Sequence, residues 1–67
     1  MSPKRLANVI RKHREAKGMT QEEVAQKAGV TKQYVTMLEA GKRTSPSLPV
    51  LRRIAKALGV TVGELLK

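Results

Sequence analysis

Two segments of the chain repeat one six-residue pattern that determines where a helix begins. In residues 19–24 and 60–65, an apolar residue precedes a threonine, and a glutamate followed by a second apolar residue comes three positions later. Such a threonine caps the helix, the glutamate returns a hydrogen bond to the cap, and the two apolar residues pack together. Residues 30–35 have the threonine and the apolar pair, with Tyr34 in place of the glutamate. The pattern therefore predicts helix starts after Thr20, Thr31 and Thr61.

Between these starts the apolar residues follow helical spacing, and the alternation typical of strands is absent. Ser47 is expected to cap a further helix, which tolerates Pro49 in its first turn because a proline there loses no helical hydrogen bond. The sequence therefore predicts an all-α fold, a compact five-helix bundle in a single domain spanning residues 1–67. The predicted helices cover residues 4–17, 21–28, 32–40, 48–58 and 62–66.

The charge of the chain is strongly positive and points to a polyanionic partner. Its 67 residues include 14 lysines and arginines but only five acidic residues, all of them glutamates, for a net charge of +9. Such a charge makes a small domain repel itself, and binding to a polyanion is the usual reason to tolerate this, with plain solubility as the alternative. Because there is no cysteine and only one histidine, we expect no disulfide, metal site or cofactor. No apolar run is long enough to span a bilayer or form a leader, so we expect a soluble, cytoplasmic protein.

The second and third predicted helices are separated by only three residues, which is the arrangement of a helix-turn-helix. Ala25 is small enough to let the next helix pack closely, and Gly29 permits a left-handed turn. Val35 and Leu38 supply the buried face of the later helix. Together these four residues indicate a helix-turn-helix more specifically than any one of them does alone.

These residues also carry a resemblance to a known family. Residues 19–42 and 51–60 resemble the Cro/C1-type helix-turn-helix family, to which lambdoid phage repressors belong. The resemblance implies a lambda repressor-like DNA-binding domain. An enzyme is not expected, because the chain has no aspartate, no cysteine and only one histidine, and no two acid–base groups are placed to converge. It also implies a homodimer that binds a pseudo-palindromic double-stranded operator and inserts its third helix into the major groove. We therefore expect a sequence-specific transcriptional regulator, acting as a repressor.

The outward face of the third helix carries the residues expected to contact bases. With Val35 and Leu38 directed inward, helical geometry turns the mixed polar and apolar residues of this helix outward. Glutamine can pair with adenine, lysine can reach guanine, and threonine or methionine can touch a thymine methyl group. The resemblance places base contacts at the same positions. The predicted base-contacting residues are Lys32, Gln33, Thr36 and Met37.

Phosphate contacts are expected around this helix, because they set its register and supply much of the affinity. The N–H of Gln21 lies at the positive end of the second helix, a natural anion site. The resemblance further implies that Arg14 touches a phosphate while forming an ion pair with Glu39, an arginine–carboxylate geometry that can be bidentate. The predicted phosphate-contacting residues are Arg14, Gln21, Thr31, Tyr34, Lys42 and Arg43.

Residues outside the predicted DNA face are interpreted less specifically. In phage relatives the C-terminal end of the domain helps to form the dimer, which makes a dimer interface one role for Val62, Leu65 and Leu66. The same residues could instead pack against Leu6 and Ile10 within one chain. His13 is expected to be partly buried. Further cations are interpreted as solvated charges: Lys27, Arg52, Arg53 and Lys56.

Two other functions compete with DNA binding. The same fold could serve as a protein-interaction module or an antitoxin-type protein that binds a partner, although the charge and the mixed face of the third helix argue against this. Sequence-specific RNA readers usually present aromatic stacking surfaces, and the chain has a single tyrosine as its only aromatic residue.

Overall fold

The predicted helix starts are found at capped backbone positions. In the computed structural model, which describes residues 3–42 and 46–66, the hydroxyl of Thr20 accepts the Glu23 N–H at 3.1 Å, and the Thr20 N–H donates to the Glu23 carboxylate at 2.8 Å. Thr61 and Glu64 form the same pair of bonds, at 3.2 and 3.0 Å. Thr31 accepts the Tyr34 N–H at 3.1 Å without a returning bond. Both predicted capping boxes and the simpler cap are therefore confirmed.

The described residues form five α-helices, and each lies within one residue of its predicted bounds. Ser47 caps the fourth helix by accepting the Val50 N–H at 3.4 Å, with Pro49 in the first turn. The all-α fold is therefore confirmed. The helices are α1 Pro3–Ala16, α2 Gln21–Ala28, α3 Lys32–Glu39, α4 Leu48–Leu58 and α5 Val62–Leu65.

The core is built from the apolar face of every helix. Helix α2 packs against both α3 and α4, whereas α1 packs against α3 and α5. Helix α5, although only four residues long, is fixed by contacts with α4 and α1. The largest fully buried side chains come from all five helices: Ile10, Val24, Val35, Ile54, Leu58 and Leu65.

The turn between α2 and α3 has the geometry that the sequence predicts. Gly29 has φ 71°, the left-handed conformation that glycine adopts cheaply, and the Val30 N–H reaches back to the Ala25 carbonyl at 3.0 Å. Ala25 is buried, so its small side chain lies where the two helices approach. The turn places α3 across α2 with one face in the core and the other in solvent. None of the helices in the described ranges is long and apolar enough to cross a membrane.

Candidate nucleic-acid interface

The four residues predicted to contact bases lie together on the exposed face of α3. Lys32, Gln33 and Thr36 are exposed, and 42% of Met37 is accessible to solvent. On the inner face, Val35 is completely buried and Leu38 nearly so. The helix therefore separates a packing face from a face that combines a cation, an amide, a hydroxyl and a thioether.

A buried ion pair holds the C-terminal end of α3 against α1. The Arg14 guanidinium donates through Nε to Glu39 Oε2 at 2.6 Å and through Nη2 to Glu39 Oε1 at 2.9 Å. Glu39 is 5% exposed, the one buried charged residue in the part of the chain that the structure describes. A charge can be buried at this depth only when it is paired and hydrogen-bonded, and the bidentate geometry satisfies both needs. The predicted Arg14–Glu39 pair is confirmed.

Arg14 also connects this pair to the start of α2. Its Nη1 donates to the Met19 carbonyl at 2.7 Å, immediately before the Thr20 cap. The hydrogen bond with Glu39 raises the pKa of Arg14 above its ordinary value, against the opposing effect of burial. The guanidinium is therefore charged at neutral pH, and it links α1, the start of α2 and α3 at one point.

Gln21 extends the same network to the exposed face of α3. Its amide Nε2 donates to Glu39 Oε1 at 3.1 Å, and its Oε1 accepts the Thr36 hydroxyl at 2.7 Å. Because both side-chain ends are engaged, the Gln21 side chain spans from the buried carboxylate to a residue predicted to face DNA. Its backbone N–H belongs to the first turn of α2, where helix geometry supplies no acceptor.

The other predicted phosphate-contacting residues differ in exposure. Thr31 is exposed, and its hydroxyl oxygen accepts the Tyr34 N–H. The hydroxyl hydrogen can still be donated to another acceptor. Tyr34 is partly buried against the core, and this burial raises the pKa of its hydroxyl. Lys42 is exposed just after α3. The prediction for Arg43 lies outside the described residues.

Two arginines have structural contacts that the sequence did not indicate. Arg53 was expected to be a solvated charge, but its Nε donates to the Ala28 carbonyl at 2.9 Å and its Nη2 to the Gly29 carbonyl at 3.0 Å. That expectation was wrong, because α4 places Arg53 at the C-terminal end of α2, where carbonyls lack helical partners. Arg11, which no pattern singled out, donates through Nη1 to the Glu39 carbonyl at 3.4 Å and through Nη2 to Asn8 Oδ1 at 2.6 Å.

The three residues considered for a dimer interface have different environments. Leu65 is completely buried in the core of its own chain, so its side chain has no surface to offer to a second copy. Val62 is partly buried against the same core. Leu66 is 46% exposed. For Leu65 the structure therefore favours the alternative of packing within one chain. His13 is partly buried, as expected.

Comparisons with known proteins agree with this arrangement. Residues 10–65 match the model of a family described as helix-turn-helix. An uncharacterized HTH-type transcriptional regulator from Methanothermobacter thermautotrophicus is 52% identical over 54 residues, which cover 81% of this chain and 77% of the relative. The HTH-type transcriptional regulator SinR from Bacillus subtilis is 39% identical over 57 residues, or 85% of this chain and 51% of SinR. This chain therefore spans about half the length of SinR.

Solved structures show the same fold. The master regulator for biofilm formation SinR, solved in complex with DNA, superposes with a TM-score of 0.87 at 35% identity, covering 92% of this chain and 98% of that one. The restriction-modification controller protein C.AhdI from Aeromonas hydrophila superposes with a TM-score of 0.88 at 33% identity, covering 94% of each chain. Together with the helix-turn-helix geometry, these similarities establish that the chain belongs to the Cro/C1-type helix-turn-helix family of transcriptional regulators.

Proposed function

We propose that this protein binds double-stranded DNA sequence-specifically and represses transcription, with α3 lying in the major groove. The observation that carries the proposal is the exposed face of α3, which is held in place by the buried Arg14–Glu39 pair and by Gln21. A recognition element must present its side chains in a fixed register, and this network orients α3 from two neighbouring helices. The relatives support the proposal, since SinR has been solved in complex with DNA.

Base recognition follows from the chemistry of the exposed α3 side chains. The Gln33 amide can pair bidentately with adenine, donating its N–H to N7 and accepting an N6 hydrogen at its oxygen. The Lys32 ammonium can donate to guanine O6 and N7. Met37 and the Thr36 methyl group are suited to thymine methyl groups. Thr36 keeps its hydroxyl directed at Gln21, which leaves its methyl group as the part available to a base.

The phosphate contacts are proposed to surround α3. The Gln21 backbone N–H offers a donor at a helix N-terminus, and exposed Lys42 offers a positive charge. Arg14 has three of its donors engaged and contributes its remaining N–H groups and its charge. The full proposed set of phosphate-contacting residues remains Arg14, Gln21, Thr31, Tyr34, Lys42 and Arg43.

We further propose that the protein binds a pseudo-palindromic operator as a homodimer. Leu66 is the exposed apolar residue at the end of the described chain, and Val62 lies beside it with part of its surface accessible. These two residues are the ones proposed to pack across a two-fold axis. We also propose a cytoplasmic location, because a DNA-binding regulator must reach DNA inside the cell.

Selection from a random pool of double-stranded DNA at near-physiological salt, followed by sequencing, tests the proposal. We expect enrichment of an inverted repeat whose half-sites lie about 10 base pairs apart, centre to centre. Enrichment of a single half-site would support sequence-specific binding and contradict the proposed dimer. Retention of all DNA without enrichment would contradict sequence-specific recognition and would favour the partner-binding module instead.

Two substitutions on the selected site distinguish base contacts from phosphate contacts. Gln33→Ala should weaken binding by about 1–3 kcal/mol and relax the preference at one base position. Lys42→Ala should weaken binding to all sequences alike. Because one phosphate contact is lost, the slope of log affinity against log salt concentration should also fall in magnitude by about one. Fluorescence anisotropy across a salt series measures both effects. If Gln33→Ala binds the cognate site as tightly as the unmodified protein, Gln33 does not read a base.

A further inference from the structure

A second basic surface lies between α2 and α4, and it includes no residue of α3. A groove of about 500 Å³ runs along the C-terminal half of α2 and across α4. It continues into a hollow of about 320 Å³ at the turn between α1 and α2, and the two share Lys27, Lys56 and Ala57. We call this surface the α2–α4 groove. Its charged lining residues are Lys17, Lys27, Arg53 and Lys56.

The α2–α4 groove is lined by these four cations and by no carboxylate in the described chain. Three of the five glutamates in the sequence are engaged elsewhere. Glu39 binds Arg14, and Glu23 and Glu64 close the two capping boxes. Glu23 also interacts with Lys27 one turn later, but its carboxylate is committed to the Thr20 N–H. The chain, or a second copy of it, is therefore poorly supplied with acids to neutralise the groove.

One cation of the groove is already oriented for a partner. Arg53 is fixed by its bonds to the Ala28 and Gly29 carbonyls, and these bonds leave both hydrogens of Nη1 unused. Its guanidinium therefore loses little further conformational freedom when it binds a carboxylate. At the other end, the Lys17 ammonium lies beside Gly59, where an added Cβ would come within 3.1 Å of Nζ.

Cations near helix C-termini also stabilise the helix dipoles, and Lys27 and Lys56 lie in the last turns of α2 and α4. That role requires no recess beside them. The α2–α4 groove, however, also has partly exposed apolar side chains in its lining, Met19 and Ala57. A phosphate backbone would satisfy the cations but would leave these apolar side chains without contacts. A segment with both carboxylates and an apolar side chain satisfies both features.

We propose that the α2–α4 groove binds an acidic segment of a partner protein, with carboxylates on its four cations and an apolar side chain against Met19 and Ala57. This inference is independent of the proposed DNA recognition, because α3 contributes nothing to the groove. A partner could therefore bind while α3 occupies DNA, which would let the regulator contact a second protein on the same promoter.

Selection from a displayed library of random short peptides, using the full chain as target, tests this proposal. We expect enriched peptides to combine several acidic residues with an apolar one. A synthetic copy of an enriched peptide, added to the ¹⁵N-labelled protein without DNA, should shift the amide signals of residues 17–19, 26–29 and 53–59. The signals of residues 32–37 should remain in place.

Charge reversal supplies the matched comparison. The double variant Lys27→Glu/Lys56→Glu should bind the enriched peptide at least about tenfold more weakly than the unmodified protein does. Lys12→Glu/Arg52→Glu makes the same change in net charge at exposed positions outside the groove. Its loss of affinity for the peptide should be much smaller. Because Lys27 and Lys56 also stabilise helix ends, circular dichroism checks the folding of each variant. If the reversed variant unfolds, Lys27→Gln/Lys56→Gln replaces it, with a smaller loss expected.

Several results would overturn the proposal. Enrichment of no peptide, or equal weakening by the two charge-reversed variants, would mean that the groove has no specific affinity for acidic segments. Shifts confined to α3 would mean that the peptide merely imitates DNA. If a mixed-sequence DNA duplex rather than the peptide shifts the groove amides, the occupant is a nucleic acid and the protein partner is wrong.

Discussion

Two arginines reach the helix-turn-helix from the flanking helices, and they do so in different ways. Arg14 on α1 pairs with the buried carboxylate of Glu39 at the end of α3, and only 14% of its side chain is exposed. Arg53 on α4 binds two backbone carbonyls at the end of α2, and it remains exposed to solvent. Arg14 ties α3 and the start of α2 to α1, whereas Arg53 ties the end of α2 to α4, and only Arg14 depends on a second charge.

The difference indicates how each contact contributes to stability. When a buried ion pair loses one partner, the other charge remains in a poorly solvated site, so the loss is large. When an exposed arginine is removed from backbone carbonyls, water can replace it at the helix end, so the loss is small. The site proposed to face DNA is therefore expected to depend strongly on Arg14 and Glu39 and only weakly on Arg53.

Glu39→Ala is expected to have the largest effect. It leaves Arg14 without a counter-charge and removes the acceptor of Gln21, so the free energy of unfolding should fall by about 3 kcal/mol. Urea unfolding followed by circular dichroism measures this change. The double variant Arg14→Met/Glu39→Leu should recover much of the loss, because it removes both charges together. A cost for Glu39→Ala below about 1 kcal/mol would mean that the pair behaves as an exposed one.

Arg53→Ala is expected to have an intermediate effect. The loss of two hydrogen bonds to carbonyls at an exposed site should lower the free energy of unfolding by about 1 kcal/mol. Arg52→Ala is the matched control, since Arg52 is the adjacent exposed arginine on α4, and its cost should stay within about 0.5 kcal/mol. Equal costs in the two variants would show that the carbonyl contacts of Arg53 contribute nothing to stability.

The link between Gln21 and Thr36 is expected to contribute less than either arginine. Thr36→Val and Gln21→Ala, made singly and together, form a double-mutant cycle for the 2.7 Å hydrogen bond between them. We expect a coupling energy of about 0.5 kcal/mol, because both residues are at least partly exposed. Thr36→Ser retains the hydroxyl and should preserve the coupling. Strictly additive effects would mean that Gln21 does not orient the outer face of α3.

The smallest expected effect comes from a purely local contact, the capping box at Thr20. Hydrogen bonds from Thr20 lower the pKa of Glu23 below its ordinary value of 4.5. A carboxylate with a lowered folded-state pKa contributes stability above its unfolded pKa and loses it as the pH falls through the folded value. The melting temperature should therefore fall in that acid range, and Glu23→Gln should show a smaller fall over the same range. Identical pH profiles would exclude a contribution from Glu23.

The helix starts and the turn could be predicted because their determinants are close together in the chain. A capping box needs only residues three positions apart, and Thr20 and Thr61 form theirs as the pattern indicated. The left-handed turn at Gly29 is likewise local. Once Val35 and Leu38 were assigned to the core, helical geometry alone placed Lys32 and its neighbours outside.

Contacts between distant residues were less predictable. Arg52 and Arg53 are identical neighbours in the sequence, and only the packing of α4 on α2 brings Arg53 to the Ala28 carbonyl. Leu65 and Leu66 are also identical neighbours, yet one is completely buried and the other is 46% exposed. The Arg14–Glu39 pair spans 25 positions, and it was predicted only through the resemblance to a family.

The amino-acid sequence alone therefore determined the helices, the turn and the outward face of α3, because capping, helical periodicity and glycine conformation act within a few residues. The tertiary structure determined which charges are buried, which arginine binds the carbonyls at the C-terminal end of α2, and where the α2–α4 groove lies. These features depend on the angles at which helices cross. A change of one residue in helical phase moves a side chain by about 100° around the axis, so neighbouring identical residues acquire different partners.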